Sequence, residues 1–322
     1  MAVKIGFIGT GGIAGTHMDL LGKMAEAQVV ACTDVDADRA AGAAARFAGA
    51  ASYTDFREML DAHELDAAYV CVPPHVHGEM ELALIECGIH FFVEKPLGND
   101  RETPRRILEA LEGKDIITSV GYMIRYRDNP RRLKEFLAGD EPVVARACWI
   151  GGMPGVPWWR RKDQGGGQVN EQSTHIFDLT RYLFGEVESV FCTARTGLMT
   201  DVEDYTVEDA TICTLTFQSG LLCEITSSCA VGMGEVSLEV FARKGRAKLE
   251  DAAMRLTVHA SGEMRQYAVT ENGYAPEDRA FIEAVGGGDA SAIESPYADA
   301  VRTQMVTCAA DESMESGRPV RP

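Results

Sequence analysis

Glu171, His175, Asp178 and Tyr182 recur at intervals of four, three and four in the stretch GGGQVNEQSTHIFDLTRY, residues 165–182. At helical spacing the four fall on one stripe, with Ile176, Leu179 and Leu183 on the adjacent apolar face. A carboxylate four residues before a histidine can orient the ring and raise its basicity, which suits a general base that takes a proton from a hydroxyl. An ordinary Glu–His pair on a solvated helix face has the same pattern. Lys95, in FFVEKPLG, is the second candidate for proton transfer. It follows an apolar run and precedes Pro96, and a residue before proline is kept out of helical conformation. That predicts Lys95 at a strand end, aimed at the crevice beyond the strands, where it can hydrogen-bond or deprotonate a hydroxyl. A salt bridge to a surface acid is the bland alternative.

The elements that must position these groups read as two regimes. Through residue 121, short apolar runs (VKIGFIG, AQVVACT, LDAAYVCV, IHFFVE, DIITSVGY) alternate with helical stretches at 13–25, 36–47, 77–87 and 102–111. This βαβ rhythm predicts a doubly wound parallel sheet over residues 1–121. Beyond a helix near 131–137, alternating runs carry hairpin punctuation, QSG in TLTFQSGLLCEI and RKGR in SLEVFARKGRAKLED. They predict an α+β unit with an open, mostly antiparallel sheet over residues 122–322.

The first strand-to-helix turn, IGFIGTGGIAG, places Gly9, Gly11 and Ala14 in G-x-G-x-x-A form. The pattern serves a tight turn, close backbone approach to a pyrophosphate, and close helix–strand packing, with the negative charge at the helix N-terminus. Gly9, Thr10, Gly11, Gly12 and Ile13 are therefore expected to cradle a dinucleotide. Asp34 ends the next strand, at the distance where a carboxylate receives the adenosine ribose hydroxyls and repels a 2′-phosphate, so NAD is expected rather than NADP. A ligand-free glycine turn with an Asp helix cap is the competing reading.

Pro73 and Pro74 must end the fourth strand, since proline cannot continue a central ladder. His75 and His77 lack a companion carboxylate or thiolate at ligand spacing, so no metal site is expected. His77 is read as the start of a helix beside the cofactor, with Pro73. In MPGVPWWRRKDQGGG, Trp158, Trp159, Arg160 and Arg161 could stack on a sugar ring or nicotinamide and bind a negative group, or the tryptophans could anchor the loop to the core. Tyr122, Arg125 and Tyr126 sit near the change of rhythm, as further candidates to line the substrate crevice.

A formal net charge of −18 disfavours phosphate backbones and anionic membrane surfaces as partners. Nine cysteines without a CxxC pair read as reduced core thiols, and no signal or membrane-spanning run is evident, so a cytoplasmic protein is expected.

IGTGGIAGTH, PPHVH, EKPL and GGGQVNEQSTHIFD, in this order and spacing, resemble the glucose-fructose oxidoreductase / inositol dehydrogenase / MocA (Gfo/Idh/MocA) family over nearly the whole chain. The resemblance implies a nicotinamide-dependent oxidoreductase with an N-terminal Rossmann domain. It also implies a C-terminal α/β domain whose open sheet mediates a homodimer or homotetramer, and substrates among sugars, cyclitols and their derivatives. By the same resemblance Lys95 matches the EKP lysine, with Glu94 beside the cofactor, and His175 the catalytic histidine. A Trp-Arg pair reaches the cofactor or substrate in relatives, which implicates Trp159 and Arg160. Substrate contacts are expected from Lys95, Tyr122, Arg125, Trp158, Glu171, His175 and Asp178. Glu171 stands where inositol dehydrogenase-like members carry aspartate, and Gln172–Ser173 replaces their usual residue-plus-glycine step. An NAD-dependent glycosidase and a non-catalytic NAD-binding sensor are the competing functions.

Overall fold

Strands β1 (Val3–Ile8), β2 (Ala27–Thr33), β3 (Ala51–Tyr53), β4 (Ala67–Val70), β5 (His90–Val93) and β6 (Thr118–Val120) form one sheet in the computed structural model, which describes residues 2–269 and 271–322. The order is β3-β2-β1-β4-β5-β6 with every neighbouring pair parallel, the dinucleotide-binding arrangement. Helices α1 (Gly12–Leu21), α2 (Ala37–Ala44), α3 (Phe56–Ala62), α4 (Glu79–Cys87) and α5 (Glu102–Leu111) make the crossovers. Both faces of the central strands are covered, which is why β4 and β5 are almost wholly apolar and buried. Helix α1 buries Ala14, His17, Met18 and Leu21, one helical stripe. Its neighbours Ile5 and Phe7 are fully buried, and each such side chain contributes roughly 1.5–3 kcal/mol.

The second sheet has the order β14-β13-β12-β11-β7-β10-β9-β8. Along the chain come α6 (Asp128–Ala138), β7 (Pro142–Ile150), the short helices α7 (Lys162–Gly165) and α8 (Gly167–Glu171), then α9 (Thr174–Phe184). Strands β8 (Val187–Arg195), β9 (Ala210–Phe217), β10 (Leu222–Ser228), β11 (Val236–Ala242), β12 (Gly245–Glu250), β13 (Arg255–Ala260) and β14 (Glu263–Ala268) follow. Among the described residues of this sheet, only β7 and β10 pair in parallel, and the other ladders are antiparallel. QSG and RKGR close the β9–β10 and β11–β12 hairpins, and the alternating burial of β9 gives the sheet one covered and one open face.

Strand β3 and helix α3 were not anticipated, nor were α10 (Tyr274–Val285) and α11 (Tyr297–Ser316). The expected division gives all of 122–322 to the second unit, yet Tyr274–Val301 belongs to the first. The physical reason is apolar: Phe281, Ile282, Ala284 and Ile293 complete the core around Val3, Ile5, Phe7 and Phe92. In exchange, Asn99–Arg101 and Arg302–Pro322 group with the second unit.

The expectation that all nine cysteines are reduced is also corrected. Cys192 and Cys213 stand directly opposite on β8 and β9, with Cα atoms 4.0 Å apart, and are joined as a disulfide. The other seven are free thiols. Among the described residues no helix is long and apolar enough to cross a membrane.

Candidate active site

In the first unit the turn between β1 and α1 supplies the cradle. Gly9 has φ +86°, a conformation that disfavours side chains, and an added Cβ would meet the carbonyl oxygen of Cys71. No side chain caps α1, and a Cβ on Gly11 or Gly12 would meet nothing within 4 Å. Open space thus lies before a helix N-terminus whose first N–H groups point outward, a fit to a pyrophosphate. Ile13, partly buried, packs into the core and fixes the start of the helix.

Asp34 anchors the other end of the cradle. Its Oδ2 accepts from the Thr10 N–H at 3.0 Å and the Thr10 hydroxyl at 2.9 Å. Its Oδ1 accepts from the Asp36 N–H and from Arg39 Nη2, each at 3.0 Å. Burial opposes the charge on Asp34. The backbone N–H groups of Asp36 and Thr10, the Thr10 hydroxyl and Arg39 outweigh it and hold the carboxyl below its ordinary range. Arg39 was not anticipated; its signal is a cation five residues beyond the acid, on the first turn of α2.

The fourth strand ends at Val70, three residues earlier than the prolines suggested, and Pro73 precedes a 3-10 turn at Pro74–Val76. His77 closes that turn instead of opening a helix, and its Nδ1 lies 2.5 Å from Oε1 of buried Glu81, whose Oε2 accepts the Gly78 N–H at 2.7 Å. Burial opposes the Glu81 charge, but His77 and the Gly78 N–H prevail and lower its carboxyl pKa. Lys95 follows β5, is half-buried, and forms a cis peptide with Pro96. Its backbone N–H donates to Oε2 of buried Glu94 at 3.1 Å.

In the second unit His175 lies on α9 and is buried. Its ring stacks on Trp149, centroids 5.5 Å apart, and meets the edge of Tyr122 at 6.0 Å. Tyr122 bonds Thr174 Oγ1 through its hydroxyl at 3.0 Å, and burial, its largest influence, raises the phenol pKa further. One turn beyond His175, Asp178 receives Arg125 in a two-point grip, Nε to Oδ2 at 2.7 Å and Nη2 to Oδ1 at 2.6 Å. Thr303 Oγ1 adds a bond to Asp178 Oδ1 at 2.8 Å. Tyr182 receives Lys134 Nζ over its ring at 4.1 Å.

Two sequence expectations change here. The single helix carrying Glu171 and His175 is broken: α8 ends at Glu171 and α9 begins at Thr174. The N–H groups of Gln172 and Ser173 converge on the Gln168 carbonyl, at 3.2 and 3.0 Å, and the wider turn shifts the register of the stripe. Glu171 Oε2 accepts the indole N–H of Trp159 at 2.6 Å. Trp159 itself is 1% exposed and packs with Val207 and Cys229, so it anchors its loop and presents no stacking face. Trp158 and Arg160 remain partly exposed. Arg125 and Asp178, at 4% and 1% exposure, are buried against each other, and the grip fixes α9. Among the described residues no group of three His, Cys, Asp or Glu side chains could hold a metal ion.

Comparison with known proteins agrees with this geometry. Residues 3–122 match the family model described as "Oxidoreductase family, NAD-binding Rossmann fold", and residues 139–248 match the "GFO/IDH/MocA C-terminal domain". The chain is 27% identical to the myo-inositol 2-dehydrogenase of Thermotoga maritima, over 99% of this chain and 98% of that protein. It is 29% identical to inositol 2-dehydrogenase 3 of Saccharopolyspora erythraea, over 99% and 95%. A solved structure of levoglucosan dehydrogenase in complex with NADH has the same fold, with a TM-score of 0.88 at 19% identity, covering 100% of this chain and 99% of that one. The chain belongs to the GFO/IDH/MocA family of oxidoreductases, and its first unit carries an NAD-binding Rossmann domain.

Proposed function

We propose that the protein oxidises a secondary alcohol or hemiacetal of a sugar, cyclitol or related derivative, with His175 and Lys95 handling the proton. The observation that carries this reading is His175. A titratable ring is held flat against Trp149 and edge-on to Tyr122, on a helix locked by the Arg125–Asp178 grip, which suits a base that must keep one orientation. A ring nitrogen of His175 takes the hydroxyl proton, assisted by Lys95. Bound NAD supplies the hydride acceptor at C4 of its nicotinamide.

Gly9, Thr10, Gly11, Gly12, Ile13 and Asp34 hold the dinucleotide, with Pro73, His77, Glu94, Lys95 and Arg160 beside it. Trp158, Tyr122 and Glu171 shape the substrate side, and Trp159 contributes through its bond to Glu171. Full-length similarity to two proteins named inositol dehydrogenases supports a cyclitol or sugar. Seven free thiols beside the one disulfide support the proposal of a cytoplasmic location. On the open face of the second sheet, Phe191, Ile212 and Leu222 are exposed, which favours a homodimer or homotetramer through that face.

A panel of sugars, sugar acids and cyclitols, followed by NADH absorbance, tests the reading. Lys95→Ala and His175→Asn should abolish turnover while retaining NAD binding. Loss of NAD binding instead, or normal turnover, would overturn the assignments. The same panel separates a glycosidase, which returns the hydride and accumulates no NADH.

A further inference from the structure

We propose that His17 is a positioning residue for Lys95, acting through Glu94, an inference that rests on the proton role given to Lys95 above. His17 lies in the second turn of α1, the helix that opens at the dinucleotide turn, and is fully buried. Its Nδ1 is 2.7 Å from Asp278 Oδ1 and its Nε2 is 3.1 Å from Glu94 Oε1. A neutral imidazole has one N–H and can donate to only one of these carboxylates; the imidazolium donates to both. The second oxygen of Glu94 accepts the backbone N–H of Lys95 at 3.1 Å. The connection therefore runs from α1 through one carboxylate to the peptide of the lysine.

The surroundings are built for this arrangement. A Cβ on Gly121 would stand 2.5 Å from Glu94 Oε1, so glycine there leaves the space that the carboxylate occupies. Tyr69 donates its hydroxyl to Asp278 Oδ1 at 3.1 Å. The rings of Phe92, Tyr69 and Tyr274 enclose the imidazole at 4.9, 5.4 and 6.0 Å. Glu277 and Cys71 are further titratable groups whose charge reaches this cluster. Burial opposes a charge on His17, but Asp278 and Glu94 prevail and lift it from 6.5 to about 10. For Asp278, burial is the larger influence and holds its carboxyl above the ordinary range despite His17 and Tyr69. Two buried carboxylates thus share one cation, and removing that cation leaves Glu94 uncompensated beside Lys95.

The test reads the lysine amine itself, so that it does not depend on finding the substrate. The full-length protein and its His17→Asn and Asp278→Asn variants are labelled with acetic anhydride across a pH series, and Lys95 is followed by peptide mass spectrometry. Exposed Lys23 and Lys114 serve as internal references. His17→Asn removes a positive charge and should move the Lys95 labelling profile to higher pH by about half a unit, roughly a threefold slower reaction below its midpoint. Asp278→Asn removes a negative charge, preserves shape, and should move the profile the opposite way. If His17→Asn does not fold, the Asp278→Asn profile decides alone. A Lys95 profile that superimposes on the parent, or that moves only together with Lys23 and Lys114, overturns the proposal. Turnover by Lys95→Ala would refute the proton role of Lys95 without touching this result, so the two failures are distinguishable.

Discussion

Arg125 and Asp178 hold each other through two hydrogen bonds of 2.7 and 2.6 Å, one helical turn beyond His175. Both are almost wholly removed from solvent, so removing one leaves the other buried without its ionic partner. Arg125→Ala should cost about 3–5 kcal/mol, the cost of leaving one member of a buried pair alone, and lower the thermal midpoint by several degrees. Arg125→Met with Asp178→Leu should recover much of that stability. An unchanged midpoint in the single variant would show that the pair does not hold α9.

Trp159 donates its indole N–H to Glu171 at 2.6 Å. Trp159→Phe keeps an aromatic ring, removes the donor and leaves a small cavity where the rest of the indole packed. Hydrogen bonds to charged groups contribute about 1.5–3 kcal/mol, so a fall of about tenfold or more in kcat/KM is expected, together with a lower thermal midpoint from the cavity. Equal kcat/KM in parent and variant would detach Glu171 from the reaction.

Cofactor choice follows from Asp34 and Arg39, 3.0 Å apart at the mouth of the first unit's cradle. The Asp34 carboxylate already accepts four hydrogen bonds, its full capacity, so ribose hydroxyls must displace one, and half-exposed Arg39 is the most easily displaced. Asp34→Ser removes the acceptor and the repulsion together and leaves Arg39 to meet a 2′-phosphate. The ratio of kcat/KM for NADP over NAD should rise by about tenfold or more. A ratio that stays in favour of NAD would contradict the ribose assignment.

His17 gives the fold a pH dependence at the alkaline end. Its value rises on folding from 6.5 to about 10, so the stability from its protonation is complete below 6.5 and is lost as pH rises through about 10. Thermal midpoints taken between those limits should fall with pH in the parent and stay flatter in His17→Asn. Parallel curves would contradict the protonated assignment.

Much of this architecture was legible because periodicity reports burial directly. Continuous apolar runs announced a parallel sheet, and the QSG and RKGR turns announced hairpins, since both signals are local. What stayed hidden depends on distant partners. Nothing near Tyr274–Val301 says that Phe281 completes a core begun at Val3, nor that Asp278 meets His17 across 261 positions. His17 did leave a trace, a polar residue on the buried stripe of α1 between Ala14 and Leu21. The helical stripe through Glu171 failed for a different reason. Helical spacing presumes an unbroken helix, and the turn at Gln172–Ser173 changes the register between Glu171 and His175.

The most direct test of the central claim is the rate of NADH formation, at 340 nm, by the parent, Lys95→Ala and His175→Asn on a panel led by myo-inositol. The account predicts NADH accumulation by the parent on at least one polyol or sugar. It predicts a loss of turnover by a factor of about 100 or more in both variants, with NAD affinity unchanged. Parent-like rates in either variant would contradict it.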